Sequence, residues 1–518
     1  MDSKETFDKP YTTRHRIGLF LGPLLFILFI FLPNSFLPSN ARYVGGTALL
    51  MAVWWICESI PLAATALIPL VAFPLLKVVP AKEVASSYAS GEIFLFMGGF
   101  FIAVAIERWG LHKRIALTIV SLVGCRGERI ILGFMVATAF LSMWISNTAT
   151  TMMMLPIGLA VLVTLEEKYL NGIGGTFESG SGYDRREKFD SFRMALMLAI
   201  AYSANIGGIG TLIGTPPNIV FASQVRALGI HSGEVTFIQW MMVGLPFVIV
   251  FIPITWLILT RSVMKDNEFT LVGGEDVITR EREKLGPMGA GEKRTLVIFV
   301  LVVLAWITRG DIRIGEFTLR GWASLTSLGS YVHDSTVAIL AAIALFLTPV
   351  NLDRGEFILN WKSASRIPWG ILILFGGGIA LGKGFTSSHL AESIAKTMSL
   401  ISGAPLVVIV VVTSLVVTFL TEITSNTAIA TIFLPILAAT AGGLGMDPFM
   451  LMIPATISAS CAFMLPVATP PNAIVFSSGA IPMSGMVRAG IVMNIIGVVL
   501  VTSLMYLLAI RVFAIVVP

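Results

Sequence analysis

A short polar string buried in one apolar run, Ile145-Ser146-Asn147-Thr148-Ala149, returns as Thr424-Ser425-Asn426-Thr427-Ala428 in another. The spacing of 279 residues (146 to 425) also carries Ser142 to Thr421, Leu155-Pro156-Ile157 to Leu434-Pro435-Ile436, and Gly98-Gly99 to Gly377-Gly378. A second string, Thr215-Pro216-Pro217-Asn218, returns as Thr469-Pro470-Pro471-Asn472 at a spacing of 254 (215 to 469). The shortfall of 25 residues (279 against 254) fits the hydrophilic loop at 166–193, which the second half lacks. Such a chain must fold as two like halves, each interrupted twice at matching places.

The solvent of those halves follows from composition. Hydrophobic residues make up 56% and charged residues 13%, against roughly 45–50% and about 25% in soluble domains. Mean hydropathy is +0.87, and too few polar residues remain to clothe a water-facing surface of this size. The expected fold is an all-α polytopic membrane protein, since a spanning backbone must satisfy its own hydrogen bonds. Candidate spans are 17–32, 43–57, 60–76, 92–107, 194–224, 237–263, 294–308, 335–350, 367–384, 448–478 and 487–514. Two further pairs, 130–145 with 149–164 and 405–424 with 428–440, read as re-entrant hairpins. The arm 130–145 would rise only about 24 Å as a helix, short of a bilayer core of about 30 Å.

Charge placement supports that reading. With the N-terminus inside, segments 1–16, 108–129, 165–193, 261–294, 351–366 and the turn at Arg488 hold most of the 35 Lys and Arg residues, as cytoplasmic loops do. The polar start and the absence of a small-residue cleavage site after 18–32 argue against a cleaved signal. The location implied is the plasma (inner) membrane, with a cytoplasmic N-terminus. A formal charge of +5 calls for no nucleic acid partner. Cys57, Cys125 and Cys461 are odd in number and far apart, so they suggest neither a disulfide framework nor a metal site.

An odd number of crossings separates the two Ser-Asn-Thr strings, so one hairpin enters from each side, giving an inverted-topology repeat. Polar groups at a hairpin tip inside the membrane are costly without partners or a ligand. Ser, Asn and Thr are also favoured helix N-caps, and each string opens the second arm of its hairpin. The free amide hydrogens and positive dipole end there suit a carboxylate, while carbonyls left where the first arm stops suit a hard cation such as sodium. Two adjacent prolines remove two donors and push the preceding residue out of helical geometry. Thr-Pro-Pro-Asn therefore marks a broken helix, freeing the Gly214 and Ala468 carbonyls for cations and the Thr215 and Thr469 hydroxyls for an anion. One such string could simply cap a kink; both strings twice, in the same order, indicate a paired site.

Other polar residues carry less. Glu58, Glu92 and Glu107 fall at span ends, where interfacial roles prevail, and Lys383 reaches an interface. Met152-Met153-Met154 reads as packing. Glu422, beside Thr421, reads as orienting the second hairpin rather than as an ion ligand. His15, His112, His231, His333 and His389 lie in loops or near span ends, with none deep enough to activate Ser146 or Ser425. No zinc-protease, phosphate-loop or dinucleotide string occurs, which argues against an intramembrane enzyme, ATP-driven pumping and an organic cofactor.

Through both Ser-Asn-Thr and both Thr-Pro-Pro-Asn strings, Trp54-Trp55 with Glu58-Ser59-Ile60-Pro61, and the run from Leu372 to Gly378, the sequence resembles the divalent anion/sodium symporter family. It is most similar to the bacterial sodium/dicarboxylate symporters within it, from about residue 17 to the C-terminus. The resemblance implies a homodimer of about eleven transmembrane helices and two re-entrant hairpins, working as an elevator. It implies a tail at 1–16, a scaffold at 17–129 and 294–400, a cytoplasmic loop at 264–293, and a transport domain at 130–263 and 401–518. Substrate contacts map onto Ser146, Asn147, Thr148, Thr215, Ser425, Asn426, Thr427 and Thr469. One sodium site maps onto Ser142, Ser146, Asn147 and Gly214, and its mate onto Thr421, Ser425, Asn426 and Ala468. The implied cargo is a C4-dicarboxylate such as succinate, malate or fumarate with sodium. Relatives that carry citrate or sulfate, or exchange dicarboxylates without sodium, define the alternatives.

Overall fold

The computed structural model describes residues 11–33, 37–124, 127–170, 182–231, 233–264, 274–314, 317–326, 328–329, 331–398 and 405–517. Cys125, most of the tail at 1–16 and part of the loop at 264–293 lie outside them.

The chain is built of helices. Among the described residues, seven are long and apolar enough to cross a membrane, Thr13–Ile30 and Met483–Val512 being the outermost in sequence. Leu62–Leu75, Asp334–Leu347, Leu406–Thr421 and Phe449–Ser458 are apolar but shorter. Large apolar side chains remain on the outside of the bundle, among them Phe20 and Leu24 on the first helix and Leu347, a surface that only hydrocarbon or another apolar surface would cover. Two small antiparallel ladders, Ile312–Ile314 with Phe317–Leu319 and Pro349–Asn351 with Glu356–Phe357, sit in connecting segments. The segment expected as a plain loop at 108–129 contains the amphipathic helix Leu111–Val123, whose buried face packs on Gly127–Ser142.

Both predicted interruptions are present in the structure. The first pair of arms is Gly127–Ser142 and Asn147–Leu170, the second Leu406–Thr421 and Asn426–Gly443, each pair joined through its Ser-Asn-Thr string. The segments 194–224 and 448–478 are not continuous helices. They divide into Gly182–Gly208 and Pro216–Ala227, and into Phe449–Ser458 and Pro470–Ser477.

The halves interlock around their shared centre. Helix Gly91–Arg108 lies on Asp334–Leu347 so closely that a Cβ on Gly98 would sit 2.8 Å from the Ala338 carbonyl. Its mate Trp369–Ser387 makes the corresponding approach, with Gly377 facing the Ala66 carbonyl. Phe96 and Phe375, 279 residues apart, meet edge to face at 5.2 Å, a favourable aromatic geometry.

A charged seam joins segments of different parts of the chain. Arg226 pairs with the buried Glu92 at 3.0 Å. Arg309 bonds Asp334 and Glu234, both at 2.5 Å, and Asp334 also accepts the Phe237 N–H at 2.8 Å. His333 stands 3.9 Å from Glu92 and 3.8 Å from Glu234.

Candidate functional site

The two strings converge. Ser146, Asn147, Thr148, Thr215, Ser425, Asn426, Thr427 and Thr469, all eight residues expected to face substrate, line one cavity of about 330 Å³. Gly214 and Ala468 line it as well, with Ser142 and Thr421 fully buried just behind.

Local sequence explains how the polar groups are presented. Helices Asn147–Leu170 and Asn426–Gly443 both start at the cavity, and a helix's first turn has amide hydrogens with no intrahelical acceptor. Ser146 caps its helix by accepting the Ala149 N–H at 3.3 Å, whereas Ser425 occupies the cap position without a side-chain cap bond. Pro216 and Pro470 take the first helical positions beyond the broken segments, where a missing donor costs nothing. The Thr469 hydroxyl accepts from the Asn472 N–H and from the Asn205 amide at 3.0 Å, leaving its own proton to donate.

Behind the tips lie two mirrored oxygen clusters. Ser142 Oγ is 2.7 Å from the Asn147 amide oxygen and 2.7 Å from the Ala204 carbonyl. Thr421 Oγ1 is 2.5 Å from the Asn426 amide oxygen and 2.9 Å from the Ala459 carbonyl. The Asn147 amide oxygen also lies 3.2 Å from the Ala204 carbonyl and 3.3 Å from that of Gly214. That is an oxygen facing oxygens. Turned over, the amide's two hydrogens would be shared among these three oxygens, which satisfies the amide and its neighbours together.

The broken helices are held open by residues whose roles the strings did not reveal. Asn218 Nδ2 donates to the carbonyls of Gly208 and Thr211, and Asn472 Nδ2 to those of Ala462 and Leu465, the same pairs 254 residues on. A second brace is made with exchanged chemistry. The Thr211 hydroxyl donates to the Met143 carbonyl, while at the mates of those residues the Leu465 N–H donates to the Glu422 carboxylate. Glu422 thus ties the second hairpin to its broken helix, while the expectation that it is no ion ligand is taken up below. The carbonyls of Ala204 and Ala459 were not legible in advance, because any residue type supplies a carbonyl.

The rest of the lining sets the electrostatics. Glu58, Phe96, Phe100, Asn205, Ile213, Ile371 and Val467, with Pro216, Pro470 and Pro471, complete the wall. Glu58 therefore does more than end a span. Among the described residues no Lys, Arg or His lines the cavity and Glu58 adds a carboxylate, so an anion there is favoured by amide hydrogens, hydroxyls, helix dipoles and whatever cations bind with it.

Comparison with known proteins follows the same lines. Over 509 residues the chain is 43% identical to the sodium-dependent dicarboxylate transporter SdcS of Staphylococcus saprophyticus, covering 98% of this chain and 93% of that one. It is 44% identical over 507 residues to the SdcS of a Staphylococcus aureus strain, covering 97% and 93%. Among solved structures it shares a fold with the YdaH transporter of Alcanivorax borkumensis, at a TM-score of 0.55 and 14% identity, covering 88% of this chain and 97% of that one. Residues 15–515 match the family described as the sodium:sulfate symporter transmembrane region. The chain is a member of that family, an all-α multi-pass membrane protein of the transporter class.

Proposed function

We propose that this protein is a sodium-coupled symporter importing C4-dicarboxylates such as succinate, malate and fumarate. The observation that carries the reading is a cavity with two amide-rich helix starts, two oxygen clusters behind them and, among the described residues, no basic side chain. Each Ser-Asn-Thr tip holds one carboxylate. Sodium at Ser142, Ser146, Asn147 and Gly214, and at Thr421, Ser425, Asn426 and Ala468, offsets the anion's charge, with the Ala204 and Ala459 carbonyls as added ligands. Cation and anion then stabilise each other in one cavity, and neither binds well alone. The names of the relatives at 43–44% identity agree with this assignment.

In this reading residues 130–263 and 401–518 move as one body against 17–129 and 294–400, within a homodimer in the plasma membrane whose N-termini are cytoplasmic. The hairpins are re-entrant, one from each side. Cysteine pairs joining the moving body to 43–107, with Cys57, Cys125 and Cys461 first replaced, are expected to block uptake reversibly on crosslinking. Undiminished uptake after complete crosslinking at several positions argues for a fixed site instead.

Radiolabelled succinate uptake into proteoliposomes tests the assignment. Uptake is expected to need sodium with a Hill coefficient above one, and equal flux in potassium or choline would replace symport with exchange. Thr148→Ala and Thr427→Ala should each weaken succinate binding by about 1–3 kcal/mol, through loss of a hydrogen bond to a charged group. Butyrate, with one carboxylate, should compete poorly. If it matches succinate, a one-ended site replaces the two-ended clamp.

A further inference from the structure

Glu422 is 2% exposed and, among the described residues, has no ion-pair partner. Its Oε1 accepts three donors, the N–H groups of Phe463 (2.7 Å) and Met464 (2.9 Å) and the Asn494 amide (2.7 Å). Its Oε2 accepts one, the Leu465 N–H at 3.0 Å. With one donor on Oε2 against three on Oε1, Oε2 is the oxygen that keeps capacity. A full charge at this depth without a counter-charge is strongly unfavourable.

Its surroundings are buried and rich in oxygen. Thr418 and Ser414 stand one and two turns before Glu422 on the same helical face. Both are fully buried, and neither hydroxyl has a partner. Thr151 and Thr431 spend theirs on the carbonyl four residues earlier, at 2.8 and 2.7 Å; Thr418 and Ser414 do not. The Asn494 amide oxygen is also fully buried and unpartnered, although its nitrogen is bonded to Glu422. Helix Leu406–Thr421 packs directly on Met483–Leu504, which carries Asn494.

The repeat shows that the fold does not require these groups. The 279-residue spacing places Met143, Ala139 and Met135 at the positions of Glu422, Thr418 and Ser414. Gly244 abuts the Ile209 carbonyl as Gly490 abuts that of Phe463, which sets Val248 opposite Asn494. One half fills this junction with four apolar side chains. The other lines it with a carboxylate, an amide and two hydroxyls.

We propose that Glu422 Oε2, the Asn494 amide oxygen and the Thr418 hydroxyl form a further sodium site, present in the second half alone and separate from the clusters at the hairpin tips. The set is oxygen-only and singly charged, which suits a hard monovalent cation. The site would add one sodium per substrate beyond those held at the tips, so each loaded transit moves one more positive charge. The inference rests on the sodium-symport reading.

The test is the ratio of labelled sodium to labelled succinate taken up by proteoliposomes, with the sodium half-saturation, for the parent protein, Glu422→Gln and Thr418→Ala. Both variants are expected to lower the ratio by one. Half-saturation should rise about tenfold or more in Glu422→Gln and severalfold in Thr418→Ala. Thr418→Ala installs the residue of the other half and leaves every bond to Glu422 in place, so it decides the matter if Glu422→Gln does not fold. A parent protein that needs no sodium overturns the symport reading itself. Sodium-driven uptake whose ratio and half-saturation do not change in the variants overturns this site alone. An unchanged ratio with altered pH dependence overturns it in favour of a proton on Glu422.

Discussion

Gly214→Ala is expected to abolish sodium-driven uptake, by 100-fold or more, although the mate of Gly214 is already an alanine. A Cβ on Gly214 would lie 2.4 Å from the Gly208 carbonyl oxygen and 3.0 Å from Gly208 Cα, both backbone atoms with little room to yield. Gly208 is equally confined, because a Cβ there would lie 2.5 Å from the Asn147 amide oxygen. The new methyl therefore pushes through Gly208 onto the amide at the heart of the first cluster. An ångström of misplacement among ligands of this kind costs about two orders of magnitude in rate. Ala468 is tolerated because helix Phe449–Ser458 stops four residues before Ala462, the mate of Gly208, so the second break is longer. The check is succinate uptake together with sodium titration in folded protein, with Ala468→Gly as the control. Near-normal uptake by Gly214→Ala would mean that the first cluster is not a working part.

The largest loss of stability is expected from Arg309→Met. Arg309 and Asp334 have side chains only 5% and 1% exposed. Burial opposes the charge on the guanidinium, yet Asp334 and then Glu234 more than offset it and hold its pKa above the usual value. Breaking a buried pair from one side strands the other charge, at a cost of about 3–5 kcal/mol. Adding Asp334→Asn should recover most of that loss, because a neutral amide oxygen still accepts the Phe237 N–H without an unpaired charge. Thermal unfolding of the parent, Arg309→Met and the double variant measures this directly. An unshifted transition in Arg309→Met would show the pair to be energetically idle.

What could be read in the sequence was what recurs as a side chain. The hydroxyl and amide residues of both tips were identifiable because Ser-Asn-Thr came back at a fixed spacing, and all line one cavity. Backbone groups left no such trace, so the carbonyls of Ala204 and Ala459 emerged only when the chain was folded around them. Asn218 and Asn472 were visible as the last letters of a string, but their task of holding unwound carbonyls is a matter of three dimensions. Helix Leu111–Val123 left no separate mark within 108–129, because a basic stretch between apolar runs looks the same whether it coils or lies as an amphipathic helix. The unequal lengths of the two breaks were hidden by identical Thr-Pro-Pro-Asn strings.

A machine made of two inverted halves would treat its faces alike if the halves matched throughout. Here they do not. The 279-residue spacing puts Ile371 where Glu92 stands, and the 254-residue spacing puts Ala480 where Arg226 stands. In the proposed elevator, one face would therefore close on an ion pair where the other offers two apolar side chains. Arg226 is about half exposed, with a side-chain exposure of 54%, so dissolved salt screens its attraction to Glu92 over a Debye length of about 8–10 Å, while apolar contact is far less sensitive. In the proposed transport cycle, the compartment facing that seam would act on the protein twice, once by supplying ions to the cavity and once through ionic strength alone. Raising an inert electrolyte on that side only should loosen one closed state and leave the other untouched, giving the pair of halves a preferred direction that their shared architecture lacks.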